Sequence, residues 1–178
     1  MAAYTADLIP TMSSNTAPSG EAGTNSFYND DDTYAAWRGF NKNTADYWFS
    51  KANELPVYLA YDFGVGVTKT ITKYTILPFQ DIQRQYDPYT WTFQGSNNAV
   101  AWDTLDTQTA YSFTGQAKSS FPISNTTAYR YYKLLITVVF GQGLGNQYAI
   151  IAEMEMMETK PVTTNYLKNF RNDRLSWQ

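Results

Sequence analysis

Neither histidine nor cysteine occurs among the 178 residues of this chain. That removes the commonest general base, the commonest transition-metal ligand and every thiol nucleophile, and with them the usual nucleophile–base pairs. It removes any disulfide framework as well. A glycosidase built on two carboxylates needs them about 5–10 Å apart across a cleft, and the acids here scatter over turn-like segments. The run Asp30-Asp31-Asp32 has the residue types of a metal site, but a like-charge run in a turn is ordinarily solvated. GQGLG (141–145) lacks the lysine and the strand-to-helix setting of a phosphate loop. No catalytic residue is assigned. What remains is binding chemistry, and three irregular segments carry its residue types: NSFYNDDDTY (25–34), PFQDIQRQYDPY (78–89) and FGQGLGNQY (140–148). Each mixes amide and aromatic side chains, the first two add carboxylates, and loops held by a rigid scaffold are where binding residues tend to sit.

The elements that must position these loops read as strands. Aromatics make up 17% of the chain and charged residues only 16%, a balance suited to half-buried β surfaces. VYLAYDF (57–63) alternates Val57, Leu59, Tyr61 and Phe63 against Tyr58, Ala60 and Asp62, which predicts one buried face. TITKYTIL (70–77), YTWTFQG (89–95), WDTLDT, SSFPIS, AYRYYKLLITVVF and AIIAEMEMM follow, with Trp91 and Phe93 on one side of their strand. Seven or eight such runs punctuated by Gly, Asn and Pro predict an all-β sandwich or jelly roll. Only AAWRGF (35–40) and the tail near 164–175 look helical. The length suits one domain with a sizeable core. The net charge of −3 argues against nucleic acid and anionic membrane surfaces. No apolar run is long enough to span a bilayer. MAAYTADLIPTMSS lacks the basic and apolar regions of a signal peptide, so the protein is expected to stay where it is made or to leave within an assembly.

Three stretches carry a family resemblance: YTWTFQGSNNAVAWDTLDT (89–107), AYRYYKLLIT (128–137) and IAEMEM (151–156). They resemble the discoidin-like domains, also called coagulation factor V/VIII type C domains, which include the family 32 carbohydrate-binding modules. The likeness spans roughly 13–158. It implies a β-sandwich jelly roll of galactose-binding-domain type that binds ligands at loops on one end, for adhesion and not catalysis. Animal members usually carry a disulfide, so its absence implies a microbial or viral version. YAAWRGFNKNTADYW resembles the family signature A-x-x-A-F-D-G-N-x-x-T-x-W, with Trp37, Phe40, Asn43 and Trp48 in step. Many members hold a structural Ca²⁺ there, which implies Asn41, Asn43, Asp46 and Glu153 as the corresponding ligand positions. This chain departs from the pattern with Asn41 for Asp, Asp46 for Thr and Lys42 for Gly. Glu153 and Asp46 are expected to approach beneath the loop, around either Ca²⁺ or the ammonium of Lys42. Carbohydrate-binding relatives commonly grip sugar hydroxyls with an arginine from the second loop while a ring packs on the sugar's apolar face. That implies a ligand set of Tyr28, Tyr34, Phe79, Asp81, Arg84, Tyr86, Phe140, Asn146 and Tyr148. The lack of histidine departs from many galactose-binding members and leaves the sugar open.

Past the likeness, after the domain 1–159, lies the segment 160–178. It holds four bases against one acid, a net +3 that leaves −6 for the rest. Asn165 is placed to cap a short helix presenting Leu167, Phe170, Arg171, Arg174 and Leu175, with Trp177 beyond it. A basic, aromatic tail on an acidic body predicts docking onto a neighbouring subunit, and hence a homo-oligomer or larger assembly. Together these features predict a glycan-binding structural component of a bacteriophage virion: a capsid decoration, head-fibre or tail protein. A structural cement protein without sugar binding remains open, as does a soluble oligomeric lectin, cytoplasmic or non-classically secreted.

Overall fold

A computed structural model describes residues 2–79, 84–115, 117–143 and 145–161. Nine strands alternate with loops: β1 (Glu21–Thr24), β2 (Trp48–Phe49), β3 (Val57–Asp62), β4 (Lys73–Pro78), β5 (Pro88–Ser96), β6 (Asp103–Gln108), β7 (Ser119–Pro122), β8 (Tyr131–Val139) and β9 (Ile150–Met157). They form two antiparallel sheets, ordered β1-β3-β8-β5-β6 and β2-β9-β4-β7. The expected sandwich is therefore present. The expected helix at 35–40 is a 3-10 helix at Ala36–Phe40, preceded by two single 3-10 turns at Tyr28–Asp30 and Asp32–Tyr34. The strand read at 70–77 begins three residues later, at Lys73. The tail helix read near 164–175 lies outside the described residues.

Period-2 alternation closes the sandwich. Val57, Leu59 and Tyr61 are buried, while Tyr58, Ala60 and Asp62 face out, and β8 repeats this with Tyr132, Leu134 and Ile136 inside. Between the sheets the rings stack: Tyr74 lies 4.3 Å from Phe93 and 4.8 Å from Phe121, centroid to centroid. Such pairs each add about 0.5–1.5 kcal/mol beyond the area they bury. Their polar ends are served, since the Trp91 indole N–H donates to the Tyr74 hydroxyl (3.0 Å) and that hydroxyl donates to Asp106 (2.6 Å). Burial pushes the Tyr74 phenol well above its usual range, and the Tyr132 phenol up to about 12.

The N-terminal segment covers the flank of β9 that β2 leaves bare. Thr5 and Leu8 N–H donate to the carbonyls of Glu158 and Met156, each at 2.9 Å, and Met156 N–H donates to the Asp7 carboxylate at 2.8 Å. Tyr4 bridges to Thr159, and Lys160 N–H donates to the Ala3 carbonyl at 2.7 Å. An otherwise open sheet edge is thereby capped.

Candidate functional site

At one end of the sandwich a short stretch of chain turns a core residue and two surface residues in opposite directions. In Tyr47-Trp48-Phe49 the middle ring is fully buried, and the outer two are half-buried on the loop side. Phe49 is the hub of a seven-ring platform. Tyr28 stacks on it at 4.9 Å and Tyr148 lies at 4.8 Å, with Tyr34 at 5.6 Å and Tyr86 at 6.3 Å. Tyr47 joins Phe49 at 6.2 Å and carries Phe79 at 4.3 Å. All seven are half-buried.

Local chemistry fixes the three loops that bring these rings together. Asn29 takes φ = 54° inside the first 3-10 turn, a left-handed position that asparagine tolerates. The Asp31 carboxylate accepts from Thr33 N–H at 2.9 Å, closing the next turn. The indole N–H of buried Trp48 donates to the Ser26 carbonyl (3.0 Å), tying this loop to β2. In the second loop the Arg84 guanidinium Nε donates to Asp87 at 2.9 Å. The third loop is pinned against it on both flanks: Gly141 N–H donates to the Gln85 carbonyl (2.8 Å) and Ile150 N–H to the Tyr86 carbonyl (3.1 Å). A Cβ on Gly141 would stand 2.8 Å from that same Gln85 carbonyl oxygen, so only glycine allows the approach. Asn146 is held to Asn53 at 3.2 Å and to the Tyr148 hydroxyl at 3.4 Å.

Of the ligand residues expected from the sequence, Tyr28, Tyr34, Phe79, Tyr86 and Tyr148 meet in this platform. Asn146 stands at its edge, and Arg84 lies in the loop that carries Tyr86. Phe140 stands apart: it is 49% exposed and pairs with Tyr89 at 5.6 Å. Asp81 lies outside the described residues, as do Leu167, Phe170, Arg171, Arg174 and Trp177. Sequence reading missed Tyr47 and Phe49. Their signal was the period-2 alternation of YWF, masked because Trp48 was read only as a signature position. Carboxylates around the platform are committed, Asp30 to Lys51 at 2.8 Å, Asp46 to Arg38 at 2.6 Å and Asp87 to Arg84. The arrangement offers stacking faces framed by hydroxyls and amides, the equipment for holding a polyol.

Beside the platform, the loop at 41–46 holds Asn41, Asn43 and Asp46, expected from the sequence to be calcium ligands together with Glu153. Glu153 is 2% exposed and accepts from the Lys42 backbone N–H at 2.7 Å and from the Lys42 ammonium at 3.4 Å. The same ammonium pairs with Asp7. Asp46 is engaged elsewhere, by Arg38 at 2.6 Å and by the Asn41 amide at 2.8 Å. The side-chain oxygens of Asn41 and Asn43 accept backbone N–H groups of their own loop at 2.9 and 3.2 Å. Among the described residues no group of three or more acidic side chains is arranged to hold a metal ion. Calcium wants six to eight open oxygens, and this set, with a cation already on each carboxylate, does not fit it. Burial raises the Glu153 carboxyl to about 7, with Lys42 pulling the other way.

No family model matches the sequence, and no curated protein matches it. Solved structures do match in fold. CpGH89CBM32-5 from Clostridium perfringens, in complex with GalNAc-β-1,3-galactose, superposes with a TM-score of 0.64 at 16% identity, over 77% of this chain and 94% of that one. An F5/8 type C domain from Bacteroides fragilis gives 0.64 at 15%, over 79% and 92%. Chitosan-binding module 2 of a chitosanase/glucanase from Paenibacillus sp. IK-5, in complex with chitotriose, gives 0.61 at 17%, over 80% and 96%. The fold is the one shared by discoidin-like type C domains and family 32 carbohydrate-binding modules, as the sequence led us to expect. At these identities the likeness is one of fold.

Proposed function

We propose that this protein is a non-catalytic carbohydrate-binding module whose ligand lies on the aromatic platform. One observation carries the reading: at one end of the sandwich five half-buried rings meet half-buried Phe49, and a sixth, Phe79, joins through Tyr47. A ring that is neither buried nor fully solvated is ready to lose its remaining water to the apolar face of a sugar. Around the rings stand the Asn146 amide and Tyr hydroxyls as donors and acceptors. Solved structures of this fold carry saccharides as different as GalNAc-β-1,3-galactose and chitotriose, so the fold leaves the sugar to these loops. Single-site affinity is shallow, on the order of 0.1–1 mM, and is strengthened by multivalent display.

The setting we propose is a large assembly, a bacteriophage virion, with the module displayed in many copies. A net +3 on 160–178 and −6 on the body support electrostatic attraction of each tail to a neighbouring copy. In the loop beside the platform, the Lys42 ammonium takes the place of the calcium that the sequence resemblance implied. A broad glycan array probed with a multimeric form tests the main reading. A signal that fades on Phe49→Ala is expected, whereas a blank array leaves the structural-cement role.

A further inference from the structure

A second concavity lies on the outer face of the five-stranded sheet, away from the platform. It encloses about 210 Å³. Its floor is Gly23 and Ala60, cross-strand partners in the β1–β3 pair, so two short residues leave a trough among longer ones. Tyr58 stands at one side and Asp62 at the other, four residues apart, about 13 Å along the strand. Tyr131, the register partner of Asp62, and Glu21 share the Asp62 side, and Trp102 rises from the segment after β5. The third platform loop leaves β8 at its Val139 end, and this trough sits towards its Tyr131 end.

The walls are prearranged. Arg130 donates twice to Asp62, at 2.7 and 2.6 Å, and Gly64 N–H donates to it at 2.7 Å. That carboxylate is fixed with lone pairs to spare. The Lys133 ammonium sits 3.9 Å from the Trp102 ring centroid and 5.6 Å from that of Tyr58, so its stem backs the trough. The lining thus combines aromatic rings, two carboxylate acceptors, and hydroxyl donors on Tyr58 and Tyr131, with the Lys133 ammonium beside the Trp102 and Tyr58 rings. Glu21 and Asp62 are matched in number by Arg130 and Lys133, so the trough offers no surplus of positive charge to a phosphate backbone. A sheet face, in contrast to a sheet edge, gives an added peptide strand no ladder to join. A neutral pyranose has what the trough lacks: a rigid ring of matching size, an apolar C–H face, and hydroxyls that both donate and accept.

We infer that this trough is a second saccharide site, taking one neutral pyranose unit of an oligosaccharide independently of the platform. The inference rests on the carbohydrate-binding reading above and adds a second point of attachment to it. Gly23 supplies a clean test. A Cβ there meets nothing within 4 Å, so a side chain can start from Gly23 without a backbone clash; Gly23→Ile then fills the floor, and a β-branched residue suits a strand.

The full chain, labelled with ¹⁵N, is titrated to millimolar concentrations with chitotriose and separately with GalNAc-β-1,3-galactose. With at least one probe, the amides of Gly23, Ala60 and Lys133 should shift saturably. In Gly23→Ile those shifts should need at least tenfold more probe, while those near Phe49 and Tyr148 keep their wild-type midpoint. Tyr58→Ala, at a half-buried surface position, reads the same effect if the isoleucine variant fails to fold. Saturable shifts confined to the platform overturn the second site and leave the proposed function standing. Trough shifts unaffected by either variant overturn the assignment of the site. Silence everywhere with both probes overturns both readings.

Discussion

Lys42 concentrates the physics of this protein at a single residue. Its φ of 61° is a left-handed conformation that costs a non-glycine residue about 1–2 kcal/mol, and the surroundings must offset it. They do so twice, through the backbone N–H on Glu153 and the ammonium between Glu153 and Asp7. Lys42→Met removes the cation from two nearly buried carboxylates and should cost about 3 kcal/mol in urea unfolding, the low end for breaking a buried pair because Lys42 is partly exposed. Excess chelator should leave the wild-type Tm where it is. A Tm that falls in chelator would return calcium to the account. Glu153 adds a pH dependence, set among Lys42, Asp7 and Glu155. Its folded pKa, about 7, lies above the ordinary 4.5, so the folded state holds this proton more tightly. The stability it contributes is complete below about pH 4.5 and is lost as pH rises through about 7. Glu153→Gln should flatten that part of the Tm–pH curve, and a slope matching wild type would exclude Glu153 as its source.

Among the elements, β2 is only two residues long yet sets both the core and the platform. Trp48 and Phe49 point to opposite sides of one strand, so their truncations should separate. Trp48→Ala, at a fully buried ring, should cost about 3–5 kcal/mol. Phe49→Ala, at a half-exposed ring, should cost less than half of that in urea unfolding while reducing glycan binding at least tenfold. Equal stability losses would mean that the platform is merely a lid on the core. The long strands were legible in the sequence because one buried and one solvated face write an alternating code, as in β3 and β8. EAGT of β1 carries no such code, and its pairing comes from β3. Five of the seven platform rings were legible because they sit in loops visibly too polar for strands. The partnership of Lys42 with Asp7 was not, since 35 residues separate them and no local pattern announces a contact made by the fold.

For the whole molecule, the described body closes on itself where Tyr4 meets Thr159 and Ala3 meets Lys160. Removing 162–178 spares those pairs, so the truncated chain should keep its Tm and, on the docking role proposed for the tail, no longer join the proposed assembly. A truncated chain that melts many degrees lower would make the tail part of the core. One that still assembles would make it dispensable. The meeting of the two ends of the described body has a mechanical consequence. β9 runs from the platform side at Ile150 to this junction at Met157, eight residues or roughly 25 Å. A pull on the body from either side of this junction acts near a single point on the pole opposite the rings. A load applied at that junction would therefore swing the sandwich into line as one lever and turn its aromatic face away from the pull.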